Sequence, residues 1–277
     1  MAQFHEDSFQ TLDDLKIYTA AWLPEGTPKA IVLLVHGIGE HSGRYQHVAA
    51  YLNDGGYAVY TLDHRGHGRS EGPRAYFASF DQPVNDLKHY LDLIRQRHPR
   101  DKIFVYGHSM GALISLLFTL RYQRELAGLI ISGAPLAVES TSSPLMVAVG
   151  GMLQRFLPKA PLPAIPPEYL SHDPAIVSDY AADPLNHHGA VYMRMGHHIV
   201  QESRRVRARL PELTLPLLIL HGAEDKICPS VASEWVHQQA GSTDKTLKIY
   251  PALYHEIHNE PEKTTVLADM LSWLDQR

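Results

Sequence analysis

The chain alternates between two kinds of segment. Short apolar runs rich in β-branched residues are each followed by a stretch of helical length and period. The clearest run is "AIVLLVHG" at residues 30–37. A strand that is apolar on both sides must be covered on both faces, the situation of a parallel sheet flanked by helices. Residues 57–66, 102–109, 127–135, 215–222 and 245–252 have the same character. Between them, residues 43–56 read as a helix closed by a glycine pair. Residues 82–99 set Val84, Leu87, Leu91 and Ile94 on one face and stop at Pro99. "MGALISLLFTLRYQ" is apolar nearly all round and predicts a buried helix. The alternation predicts an α/β fold: right-handed crossovers and a mostly parallel, doubly wound sheet. Residues 6–24 predict an antiparallel pair at one edge.

The rhythm breaks between residues 136 and 210. This stretch is proline-rich, with five prolines in "FLPKAPLPAIPPEYL" alone, and offers no convincing strand. It is far longer than an ordinary connection. The expected organisation is therefore a core formed by residues 1–135 and 211–277, with residues 136–210 inserted as a helical cap over the carboxyl ends of the strands.

Composition narrows the function. With 44 % hydrophobic and 20 % charged residues among 277, the chain can bury a sizeable core. A formal net charge of −5 argues against nucleic acid as a partner. One cysteine, Cys228, excludes an internal disulfide. The N-terminus lacks the apolar stretch of a secretion signal, and no apolar run reaches the roughly 18 residues of a membrane span. The expected location is the cytoplasm, with peripheral contact to lipid through the apolar stretch at residues 144–158. The histidine doublets His187–His188 and His197–His198 are expected to be hydrogen-bonded or exposed, not metal ligands. No metal or organic cofactor is expected.

Two stretches match the pattern G-x-S-x-G, "GRSEG" around Ser70 and "GHSMG" around Ser109. The pattern carries chemistry only where a strand precedes it and a helix follows, because the sharp turn between them lifts the serine hydroxyl above the sheet. Ser109 has that setting. Ser70 lies in a glycine-rich loop followed at once by Pro73, and is expected to be structural, with Asp63, His64 and Arg65 bracing the loops nearby. A serine nucleophile needs a base and an acid to orient it, in the chain order Ser, Asp or Glu, His. Asp225 follows one predicted strand and His255 follows the last; Glu224 and His258 are the competitors. The expected oxyanion donors are the backbone amides of Met110, next after the serine, and Ile38, in the loop after the "AIVLLVHG" strand.

"HGIGEHSGRY", "DHRGHGRSEGPR", "GHSMGA", the acid turn "AED" and "YHEIH" together resemble the monoacylglycerol lipases of the α/β-hydrolase fold, and the lysophospholipases close to them. The resemblance runs through most of the core and thins in the cap to "VSDYAADPL". It implies a triad of Ser109, Asp225 and His255, oxyanion donors at Ile38 and Met110, and no cofactor. It also implies that Glu40, Arg44, Tyr180 and His258 hold the glycerol end of the substrate; for Glu40 and Arg44 a local salt bridge is the alternative. Cys228 follows the acid by three residues, close to the pocket or simply a small buried side chain. The expected reaction is hydrolysis of a monoacylglycerol to fatty acid and glycerol through an acyl-enzyme. A lysophospholipid, thioester or general carboxylic ester is the alternative substrate, and a non-catalytic ligand-binding protein the remote one. The histidine-rich segment 187–206 is more polar than a wall over a long acyl chain would require.

Overall fold

The computed structural model describes residues 3–138 and 151–277. Eight strands form one sheet in the order β1-β2-β4-β3-β5-β6-β7-β8. They are β1 (Gln3–Gln10), β2 (Lys16–Leu23), β3 (Ile31–Val35), β4 (Ala58–Leu62), β5 (Ile103–His108), β6 (Gly128–Ser132), β7 (Leu217–Gly222) and β8 (Lys245–Tyr250). From β4 to β8 all neighbours are parallel; β1 and β2 join as the expected antiparallel pair.

The central strands are buried on both sides, as their composition requires. Along β3, Ile31, Leu33 and Val35 enter one apolar cluster while Val32 and Leu34 enter the other. The first cluster holds apolar residues of α2 (Asp81–Arg97), α3 (Met110–Tyr122) and α6 (Val231–Gln239). The second holds those of α1 (Gln46–Asp54) and α7 (Lys263–Asp275). Helix α3 has eleven buried residues in its thirteen, which matches its all-round apolar sequence. Most of the apolar runs outlast their strands. The run at 57–66 yields a strand only to Leu62, because Asp63 and Ser70 are committed to loop hydrogen bonds.

Between β6 and β7 the described residues add no strand to the sheet. They form α4 (Pro174–Ala182), capped by the Asp173 carboxylate, and α5 (Met193–Arg209), with one isolated bridge between Pro161 and Tyr192. Met195 and Val206 of α5 join the cluster around α3, and the Ser203 hydroxyl donates to the Pro135 carbonyl at 3.0 Å. α4 and the residues after it dock on the loop after β3: His187 N–H donates to Gly39 O at 2.9 Å, and the Tyr180 hydroxyl of α4 donates to the same carbonyl at 3.3 Å. Of the apolar stretch 144–158, residues 144–150 lie outside the described residues; Met152, Phe156 and Leu157 are exposed. No helix among the described residues is long and apolar enough to cross a membrane.

Candidate active site

Ser109 stands between β5 and α3 with φ +53° and ψ −121°, a conformation that L-residues rarely adopt. The packing around it enforces the turn. A Cβ on Gly111 would collide with the backbone carbonyls of Val35 and His36, and one on Gly107 would lie 2.5 Å from the Gly111 carbonyl oxygen. β3, β5 and α3 thus approach so closely that only glycine fits on either side of the serine. The Ser109 N–H is held by Ser132 O at 2.9 Å. Met110, the first residue of α3, has an amide that no helical carbonyl can reach.

Asp225 follows β7 and has every lone pair in use. Its Oδ1 accepts from the backbone amides of Ile227 and Cys228, both at 2.8 Å. Its Oδ2 accepts from His255 Nδ1 at 2.7 Å and from His221 Nε2 at 3.1 Å. Burial alone would favour the protonated acid, but the charge of His255 and the hydrogen bonds from His221 and His255 hold the carboxyl far below its ordinary range. Burial also opposes a charged His255, yet Asp225 outweighs it, helped by Glu256 and Glu40, so the imidazole is shifted upward. Glu224, the competing acid, has a side chain 54 % exposed and lies 4.0 Å from His172.

Ser109 and His255 border one cavity, whose lining includes the polar Glu40, Tyr180 and Glu256 with Gly37, and the apolar Ile38, Ile165, Leu170 and Ile227. No hydrogen bond joins the Ser109 hydroxyl to His255 among the described residues; such contacts are often loose before substrate binds. The cavity has a volume of about 30 Å³, room for one or two water molecules.

The polar wall differs from the expectation in two ways. Arg44 does bond Glu40, at 2.8 Å, but its main partner is Glu256, held through two parallel bonds of 2.6 and 2.7 Å. Its guanidinium also lies 4.9 Å from the Tyr180 ring centre. Glu40 in turn accepts from Gly37 N–H and the Tyr45 hydroxyl, both at 2.6 Å, so it fixes the start of the loop that carries Ile38. Burial shifts Glu40 upward against the pull of Arg44. His258 departs further. It is fully buried, stacked on Tyr45 at 4.6 Å and edge-on to His108 at 4.8 Å, and does not border the cavity. His258 thus packs behind the polar wall, against Tyr45 and His108. Cys228 is likewise buried off the cavity, its thiol pushed upward by burial and by Asp225.

Ser70 has a different task. Its hydroxyl donates to Asp63 O at 2.6 Å and accepts from Tyr18 N–H at 2.9 Å, which ties the loop to β2. Asp63 binds the Ser42 amide and hydroxyl and the Arg69 amide. Arg65 is clamped between Asp86 and Asp13. His187 and His188 bond backbone carbonyls of Ala190 and Asp183.

A family model described as serine aminopeptidase, S33, matches residues 26–262. The chain belongs to this family of α/β hydrolases. Among curated proteins it is 36 % identical over 269 residues to the monoacylglycerol lipase of Mycolicibacterium smegmatis, covering 97 % of this chain and 96 % of that one. It is 35 % identical over 268 residues to the human monoglyceride lipase, covering 96 % and 88 %. The solved monoacylglycerol lipase of Paleococcus ferrophilus superposes with a TM-score of 0.83 at 30 % identity, over 93 % and 98 % of the two chains. A carboxylic ester hydrolase of the serine type is what this membership supports.

For this hydrolase the sequence reading overlooked Glu256, which borders the cavity and anchors Arg44. Its signal was faint: an acid directly after the expected base reads as a surface residue, yet here it is buried. His108 was also passed over. It borders the cavity, its Nδ1 lies 2.9 Å from the Ser132 hydroxyl, and burial pushes its imidazole down to about 3, so it stays neutral.

Proposed function

We propose that the protein hydrolyses monoacylglycerols to fatty acid and glycerol, with Ser109 as nucleophile, His255 as base and Asp225 as the residue that orients it. The observation that carries this reading is the convergence on one cavity of a serine held on a strained strand–helix turn and an imidazole bonded at 2.7 Å to a saturated carboxylate. Ser109 Oγ attacks the ester carbonyl as His255 takes its proton, and the Met110 and Ile38 amides receive the oxyanion. His255 then protonates the departing glycerol oxygen. Water, activated by the same imidazole, releases the fatty acid from the acyl-enzyme.

The polar wall favours a neutral alcohol. Glu40 and Glu256 share the single guanidinium of Arg44, which leaves no surplus positive charge for a phosphodiester. Glu40 and Tyr180 are the residues in reach of glycerol hydroxyls; Arg44 and His258 shape the wall from behind. Ile165, Leu170 and Ile227 meet the acyl chain, each buried methylene of which contributes about 0.8 kcal/mol. An acyl chain needs more room than this cavity of about 30 Å³ offers, and a shift of the segment carrying Ile165 and Leu170 would supply it. Residues 136–210 would then act as a cap. Its exposed Met152, Phe156 and Leu157, with Ile165 partly exposed, form the face for peripheral contact with lipid.

A substrate panel tests the reading: monoacylglycerols of several chain lengths, lysophosphatidylcholine, diacylglycerol and acyl-CoA. The expected result is the highest kcat/KM on monoacylglycerol. Fast turnover of the lysophospholipid beside slow turnover of monoacylglycerol would displace it.

A further inference from the structure

His221 is the penultimate residue of β7, fully buried, and both of its ring nitrogens are engaged. Nε2 faces two acceptors, Asp225 Oδ2 at 3.1 Å and the Cys228 carbonyl at 2.9 Å. A carboxylate oxygen and a carbonyl oxygen cannot donate, so the hydrogen sits on Nε2. Nδ1 lies 2.7 Å from the hydroxyl of Ser233, which is buried in α6. Nε2–H points at the acid while the Ser233 hydroxyl holds the ring at Nδ1. The ring is thus anchored from the helix side and grips the acid on the other.

The consequence concerns the turn from Asp225 to Cys228. The Cys228 amide points to Asp225 Oδ1 while the Cys228 carbonyl accepts from His221. His221 therefore closes the turn at both ends: one N–H holds the carboxylate and the peptide that cradles it. Rotation of the Asp225 side chain away from His255 would break bonds on both oxygens.

We propose that His221, anchored at its other nitrogen by Ser233, is a positioning residue that holds Asp225 in the orientation needed by His255. The proposal rests on the reading of Ser109, Asp225 and His255 as the catalytic triad. His221 touches no substrate and acts only through Asp225. A glutamine here can present an amide N–H in the place of Nε2–H, whereas phenylalanine keeps the ring volume and loses both polar atoms.

The test is steady-state kinetics of the full chain on 4-nitrophenyl butyrate, a small soluble ester, with melting temperatures recorded alongside. The variants are His221→Phe, His221→Gln, Ser233→Ala, Asp225→Asn and the double variant His221→Phe/Asp225→Asn. We expect His221→Phe to lower kcat about 10- to 100-fold with KM little changed, as removal of a group that orients a functional side chain typically does. His221→Gln should recover most of that loss. In the Asp225→Asn background His221→Phe should cost less than about 3-fold more, since a residue acting through Asp225 has nothing left to position. Wild-type kcat in His221→Phe, no rescue by glutamine, or losses that multiply in the double variant would each overturn the proposal. If His221→Phe does not fold, Ser233→Ala decides: a several-fold fall in kcat at unchanged KM supports the proposal, and wild-type kcat overturns it. Full activity in Asp225→Asn would instead refute the triad reading itself.

Discussion

The two G-x-S-x-G stretches are the same five-residue pattern in two settings. Around Ser109, a strand, a turn and a helix are packed so tightly that two of the five positions admit no side chain, and the serine faces the cavity. Around Ser70, the pattern lies in a loop whose serine hydroxyl is spent on its own chain, donating to Asp63 O and accepting from Tyr18 N–H. A hydroxyl consumed by two backbone bonds is a brace. One with no hydrogen bond among the described residues, above a sheet and beside a bonded imidazole, is available for chemistry. The pattern names the atoms; its surroundings decide what they can do.

The comparison can be broken in order of expected effect. Ser109→Ala should lower kcat by about 10⁶-fold, the loss typical of a removed triad nucleophile, while Ser70→Ala stays within about 2-fold per folded molecule. Purified variants assayed on one soluble ester decide this; equal losses would merge the two roles. Asp225→Asn should cost about 10⁴-fold in kcat by favouring the wrong tautomer of His255.

The pH profile follows next. His255 works as a base only when neutral, and its environment raises it above the ordinary value of about 6.5. The acid limb of kcat/KM should therefore lie above that value, falling about 10-fold per pH unit below the midpoint. A limb below an unperturbed imidazole would contradict the pairing with Asp225. Gly111→Ala should destabilise the fold by about 1–3 kcal/mol through the clash with the Val35 carbonyl, read in denaturant melts. The smallest effect on activity but a measurable one on stability belongs to Ser70→Ala, about 1–3 kcal/mol for the two bonds it leaves unmade.

Much of this was legible in the residues. Six apolar runs announced the strands from β3 to β8, and the all-round apolar composition of residues 110–123 announced α3. The site expectations that rest on chain order and turn chemistry, Ser109, Asp225 and His255, lead to residues that the fold brings to one cavity or one hydrogen-bonded pair. What escaped was burial of charge. Nothing in "HEIH" distinguishes the Glu256 carboxylate, which meets Arg44 across 212 positions, from a solvated one, and nothing marks His258 as wholly enclosed. Such pairings are made by the fold, between loops that local pattern treats separately. His221 escaped for the same reason: its partners, Ser233 and Asp225, belong to different elements.

The central claim is that Ser109 is the nucleophile. Labelling the full chain with a fluorophosphonate probe, then mapping the adduct by peptide mass spectrometry, tests it most directly. The account predicts one adduct, on Ser109, absent from Ser109→Ala and retained in Ser70→Ala. An adduct on Ser70, or labelling that survives Ser109→Ala, would contradict it.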